Sequence, residues 1–152
     1  MKKYLSILLA LAMALTFAAC AANTEGETHG EETWAKDWGI TLTTEHVTAS
    51  GLTLVCSQSG GIAEGQLETG SAYWIERSEN GNWVEVPPIT EPMWDMMAHL
   101  IPSGESIEWT LDWTWLYGEL NAGTYRICKT ITDFKESGAS ESQLYCAEFE
   151  IK

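Results

Sequence analysis

Apolar and polar residues alternate most clearly between Gly104 and Thr132. Ile107, Trp109, Leu111 and Trp113 interleave with Glu108, Thr110, Asp112 and Thr114, the period of a strand with one buried face. Tyr125 to Ile131 repeats that period, and the stretch Leu120-Asn121-Ala122-Gly123-Thr124-Tyr125 joins the two runs. Upstream, Ile40–Thr43 and Leu52–Gln58 read as strands around a turn at Thr48–Gly51, with Leu52, Leu54 and Cys56 on one face. Tyr73–Arg77 and Trp83–Val86 flank Asn80-Gly81, a strong hairpin signal. Pro87-Pro88 then removes two backbone donors and ends the pairing. Ile62–Ser71 is Gly-rich and reads as a loop; it lacks the lysine of a phosphate-binding loop. Ile89–Asp95 also reads as a loop. Met96–Ile101 reads as a short strand cut off by Pro102-Ser103-Gly104, and Leu144–Ile151 as the last strand, after the polar segment Lys135–Ser142. There is no internal repeat and no sustained helical period. Seven or eight short strands separated by turns predict an all-β antiparallel sandwich.

The amino terminus follows a different pattern. Met1-Lys2-Lys3 precedes an apolar run from Tyr4 to Phe17, closed by Ala18-Ala19-Cys20. This resembles a bacterial lipoprotein signal peptide with its lipobox, although Phe17 stands where Leu is usual. The resemblance implies cleavage before Cys20 and lipid on its sulfur, so that residues 1–19 are the signal peptide. Residues 20–35 then form a lipidated, acidic, flexible tether, and residues 36–152 the domain. His29 lies among Glu25, Glu27, Glu31 and Glu32, a poor metal site. The expected location is the outer face of a cell membrane, reached through lipid on Cys20.

Charge narrows the partners. The 152 residues carry a formal net charge of −14, and cleavage would take it to about −16 by removing Lys2 and Lys3. Such a surface repels phosphate backbones and anionic headgroups. Nucleic acid is therefore excluded as a partner, and membrane attachment falls to the lipid alone. Acidity fits a solvated exported surface and could also steer a cationic partner.

The motifs together resemble a known family. They include Thr48–Leu54, Asn80–Pro87 and Pro102–Ser106, and then Asp112-Trp113-Thr114-Trp115-Leu116-Tyr117-Gly118, Leu120–Ile127 and Tyr145–Ile151. This series resembles the bacterial immunoglobulin-like domains of exported Firmicutes proteins, over residues 36–152. The Leu, Gly and Tyr spacing at 120–125 resembles the tyrosine corner of such sandwiches, where a Tyr hydroxyl bonds back to the backbone. The family is a fold without a shared catalytic activity, so the resemblance implies no catalytic residues and no cofactor.

With Cys20 assigned to lipid, three cysteines remain. Arg126, Cys128 and Thr130 have outward parity against Tyr125, Ile127 and Ile131. Cys146 is outward against Tyr145, Ala147, Phe149 and Ile151. A Cys128–Cys146 bridge across neighbouring strands follows from that parity, and an exported location permits it. Cys56 then stays in the core as a free thiol. The rival is Cys56–Cys128, the inter-sheet bridge of antibody domains, which needs Cys128 to face inward.

Candidate chemistry is sparse. There are three histidines, His29, His46 and His99, and no Gly-x-Ser-x-Gly motif. Cys56 with His99 could form a nucleophile and base, but a buried strand cysteine explains Cys56 better. Glu105/Glu108 and Glu148/Glu150 read as solvated strand carboxylates rather than a glycosidase pair. Eight tryptophans are the feature most able to carry binding. Trp109 and Trp113 have core parity. Trp94, in the Pro-rich loop, and Trp83, beside the Asn-Gly turn where it could cap the sandwich, are the candidate ligand contacts. The expectation is a non-catalytic binding module for a protein or a cell-envelope glycan, with Trp94 acting beside the 60–70 loop. A structural or accessory subunit of an envelope complex is the alternative, and a small hydrolase a remote one.

Overall fold

The computed structural model describes residues 36–136 and 139–152; the expected signal peptide, Cys20 and the expected 20–35 tether lie outside the described residues. Among the described residues, nine strands and one helical turn follow one another. They are β1 (Ile40–Glu45), β2 (Gly51–Gln58), β3 (Gln66–Thr69), β4 (Trp74–Glu79), β5 (Asn82–Glu85), β6 (His99–Leu100), β7 (Ser106–Asp112), α1 (Thr114–Tyr117), β8 (Gly123–Phe134) and β9 (Ser140–Ile151). One antiparallel sheet has the order β1-β2-β7. The other is built on β8: β9 runs along its whole length on one side, while β4 and β3 share the other side, with β5 and β6 outside them. The two antiparallel sheets form an immunoglobulin-like sandwich.

The alternation read from the sequence places the core. Leu52, Leu54 and Cys56 of β2 are buried, as are Tyr125, Ile127 and Ile131 of β8 and Ala147, Phe149 and Ile151 of β9. The interior has two clusters. One gathers Leu52, Leu54, Ile75, Trp113, Tyr125 and Phe149 among others. The second holds Trp38, Cys56, Leu67, Ile101 and Ile131.

The expected corner is present. The Tyr125 hydroxyl donates to the Asn121 carbonyl at 2.8 Å, and the Tyr125 ring stacks on Phe149 with centroids 5.6 Å apart. Beside it, the Trp113 indole donates to the Ala49 carbonyl at 2.9 Å, and the Leu120 amide donates to the same residue's carbonyl at 2.8 Å. These bonds tie the β7–β8 connection to the β1–β2 turn. The Asn80-Gly81 turn joins β4 to β5 with both residues at positive φ, which suits a tight hairpin.

Several elements differ from expectation. Gln66–Thr69 is a strand, not a loop: Leu67 and Thr69 face the core and the ladder to β8 supplies the pairing. A four-residue segment with one aliphatic side chain is too short for periodicity to reveal it. The expected Met96–Ile101 strand shrinks to His99–Leu100, because β3 offers partners only at Glu68 and Thr69. β8 and β9 extend to Phe134 and Ser140, leaving a much shorter hairpin loop than Lys135–Ser142. Trp83 does not cap the sandwich. It lies opposite Ser78 on the hairpin, with the Arg126 guanidinium 4.7 Å from its ring centroid, and so sits on the outer face of the larger sheet.

The tyrosine corner gives a direct test. Tyr125→Phe keeps the stacked ring and deletes only the hydroxyl's bond. The variant should lose about 1–2 kcal/mol of stability, read as a lower urea midpoint with an unchanged slope. An unchanged midpoint would show that the corner bond contributes nothing.

Candidate functional site

The cysteines settle into the arrangement that strand parity favours. Cys128 and Cys146 are register partners on the outer face of β8 and β9. Their sulfurs are bonded, with Cα atoms 4.1 Å apart. The rival Cys56–Cys128 bridge does not form, because Cys56 points into the core from the other sheet as a free, buried thiol. Burial pushes that thiol up to about 11, the wrong direction for a nucleophile. His99 is not its base: the imidazole Nε2 lies 3.1 Å from the Ser71 hydroxyl. Glu148 and Glu150 are exposed on β9, and Glu105 and Glu108 are exposed at β7. Among the described residues, no group of three His, Cys, Asp or Glu side chains is placed to hold a metal ion.

The core holds a residue that the sequence reading passed over. Lys129 has the inward parity of Ile127 and Ile131 and is 3% exposed. Its Nζ donates to the carbonyls of Gly70 at 2.8 Å and Ala72 at 3.2 Å. It also lies 5.2 Å from the centroid of the Trp109 ring, a cation–π distance. The two carbonyls belong to the break between β3 and β4, where neither strand pairs with β8. The ammonium therefore supplies the donors that a continuous ladder would have supplied. Burial pulls its pKa down to about 8. Asp133 does the converse on the same strand. Fully buried, it accepts the amides of Glu64 at 3.0 Å and Gly65 at 2.6 Å. Both side chains explain themselves as structural closures, and the signal for them was a charged residue at core parity.

Trp94, the first candidate contact, is half-buried. Its ring lies 5.0 Å from Tyr73 and 5.4 Å from Trp115, centroid to centroid. It packs on the first core cluster, whereas Ala63 of the Gly-rich loop packs on the second. The structure therefore does not bring Trp94 and the 59–65 loop together into one site. Trp83 is also engaged, by Arg126, which in turn bonds Glu76 through its Nε and its terminal nitrogen.

What Trp94 supports is more telling than the ring itself. Residues 86–98, between β5 and β6, cross the open flank of the sandwich. The Ile89 amide donates to the Leu116 carbonyl at 2.8 Å, and His99 reaches within 6.4 Å of the Trp109 ring on edge strand β7. Held at both ends and pinned by Val86 and Trp94 on the first core cluster, this crossing turns its isoleucine and methionines outward. Met96 is fully exposed and Met93 is 83% exposed, and Ile89, Met97, Leu100 and Trp115 are exposed as well. Asp95 holds the turn before Met97, accepting the Ser71 hydroxyl at 2.6 Å and the Met97 amide at 3.2 Å. Those two bonds keep its carboxyl below the usual range and therefore charged. A cavity of about 260 Å³ opens beside it, lined by Glu68, Gly70, Asp95, Met96 and Met97 among others. A hollow of about 290 Å³ lies at the tyrosine corner, between Arg77, Glu79, Tyr117, Glu119 and Tyr125; its aromatic members are already committed to the core. Among the described residues, six of the ten exposed large hydrophobic side chains belong to this flank and its neighbours, a concentration that folding alone leaves unexplained.

Residues 36–150 match the model of a family described as a bacterial Ig-like domain. No curated protein matches the chain.

Lys129 makes stability depend on pH in a defined window. Its folded pKa is about 8, below the ordinary 10.4 of an unfolded lysine. Between those values the unfolded chain binds the proton and the folded chain does not, so stability rises with pH. Cys56 acts oppositely, but only as the unfolded thiol ionises from about pH 9 upward. The stability difference between wild type and Lys129→Met cancels the Cys56 contribution. It should shift in favour of wild type by about 1 kcal/mol from pH 8 to pH 9, read by urea unfolding at each pH. A constant difference would mean that Lys129 does not titrate there.

Proposed function

The chain belongs to the bacterial Ig-like domain family, and on that premise we propose that it is a non-catalytic interaction module, carried on the outer face of a bacterial membrane by lipid on Cys20. The family is typically non-enzymatic. The observation that carries the interaction reading is the exposed flank. Burying one large apolar side chain is worth about 1.5–3 kcal/mol. Met93, Met96 and Met97 together therefore hold out several kcal/mol to whatever covers them, before ordering costs. Methionine suits such a surface because its unbranched thioether adapts to varied partners.

The same geometry favours a protein over a glycan. Sugar stacking needs an open aromatic face; Trp94 is taken up by Tyr73 and Trp115, and of the exposed flank side chains only Trp115 is aromatic, against five aliphatic or thioether ones. It also favours the flank over the outer face of the larger sheet, where Trp83, Arg126 and Glu76 already satisfy one another. The anchoring half of the proposal is supported by the basic start, the apolar run and Ala18-Ala19-Cys20.

Two measurements test the two halves separately. Cys20→Ser should abolish incorporation of a labelled fatty acid and move the protein out of the membrane fraction; unchanged lipid labelling would overturn the anchor. A photo-reactive amino acid in place of Met96 should give a defined protein adduct on intact cells, and the same probe at Thr43, on the exposed face of β1, should not. Equal labelling from both positions, or none from either, would overturn the flank as the docking surface.

A further inference from the structure

The charge distribution around the flank says what kind of partner it takes. Residues 36–152 contain six lysines and arginines: Lys36, Arg77, Arg126, Lys129, Lys135 and Lys152. None of them is an exposed side chain of the flank; Lys129 comes nearest, its buried Nζ bonded to the carbonyl of Gly70, which lines the cavity. From Ser78 to Ala122 there is no Lys or Arg, while eight carboxylates fall in the same stretch; of these Asp95 lines the cavity beside Met96 and Met97, together with Glu68 of β3, whereas Glu79, Glu85 and Glu119 lie with Arg77 at the tyrosine-corner hollow. This is the stretch that exposes Ile89, Met93, Met96, Met97, Leu100 and Trp115. The cations elsewhere are largely engaged. Lys36 and Lys135 bridge Glu64 and Glu141, Arg126 bonds Glu76, and Lys129 is buried.

Resting on the interaction reading above, we propose that the flank docks a cationic amphipathic polypeptide segment, with apolar residues on the methionines and lysine or arginine against the surrounding carboxylates. Charge excludes the other occupants. A second copy of this chain would bring the same carboxylates face to face. The chain's own residues 21–35 are no better suited, with Glu25, Glu27, Glu31 and Glu32 and no Lys or Arg. An anionic lipid surface is repelled in the same way. A segment with lysine or arginine beside apolar residues gains both from burial of the thioethers and from the carboxylates of Glu68 and Asp95 at the cavity. The cavity between Glu68 and Met96–Met97 is shaped for the end of one such side chain: its methionines meet the aliphatic stem, and Glu68 and Asp95 meet the charge.

The test uses the domain of residues 36–152 within the full lipid-free chain, and labelled synthetic peptides of about five helical turns. One pairs Leu with Lys, one Leu with Gln, and one Gly with Lys at the same charge. The Leu/Lys peptide should bind. Its affinity should fall about tenfold or more in Met93→Ser/Met96→Ser/Met97→Ser, which alters only exposed side chains. A smaller loss of several-fold should appear in Glu68→Gln/Glu91→Gln, and another when salt is raised from about 0.05 to about 0.5 M. Equal, salt-independent binding of the Leu/Gln peptide would leave the docking surface standing and overturn its cationic partner. Equal binding of the Gly/Lys peptide, insensitive to the methionine changes, would reduce the effect to the overall field and overturn both. Sedimentation with zwitterionic vesicles, or a dimer lost in the methionine variant, would reassign the flank to a lipid surface or to a second copy.

Discussion

The sandwich depends on one long strand whose inward face must be either apolar or fully hydrogen-bonded. β8 carries Tyr125, Ile127, Lys129, Ile131 and Asp133 toward the core, and all five are buried. Three are held by packing and the corner bond. The other two are charged side chains that repair backbone where pairing fails. Lys129 reaches the two carbonyls of the β3–β4 break, and Asp133 reaches two amides of the loop before β3. An unpaired buried carbonyl or amide costs about 1–3 kcal/mol. These two residues thus allow the strand line opposite β8 to bend and break without that penalty. The lysine bears its own cost, seen in the fall of its pKa toward 8.

The break has consequences at the surface. With β3 and β4 separated, β5 and β6 attach to different parts of the larger sheet, and the chain between them must cross the flank rather than run along it as a strand. Sheet order β1-β2-β7 leaves β7 as an edge beneath that crossing. Trp94 anchors the crossing through Tyr73 and Trp115. The methionines on either side of it are left outside because the interior there is already filled. An apolar surface on an acidic domain is the product of this arrangement, and it is the surface on which the proposed docking rests.

Much of the fold was legible because a sheet with one buried face alternates with period two. The faces of β2, β7, β8 and β9 could be read from that alternation, and so could the outward placement of Cys128 and Cys146. Tyr125 and Ile127 share inward parity, so Cys128 is one residue out of phase for an inter-sheet bridge. Strand β3 was not legible, since Gln66-Leu67-Glu68-Thr69 shows one aliphatic residue and takes its conformation from the ladder to β8. Met96–Ala98 has the composition of a strand, but finds no partner there.

The candidate site divides in the same way. Sequence alone determined the sandwich, the tyrosine corner, the parity of the cysteines, the acidity and the richness in tryptophan. These follow from local period and composition. Only the tertiary structure decided that Trp94 is a support and Met93, Met96 and Met97 are displayed, that Trp83 lies under Arg126, and that Lys129 closes a broken edge. Whether a side chain is covered depends on which distant residues arrive beside it. Tyr73 and Trp115 occupy the ring of Trp94, and among the described residues none covers the side chain of Met96.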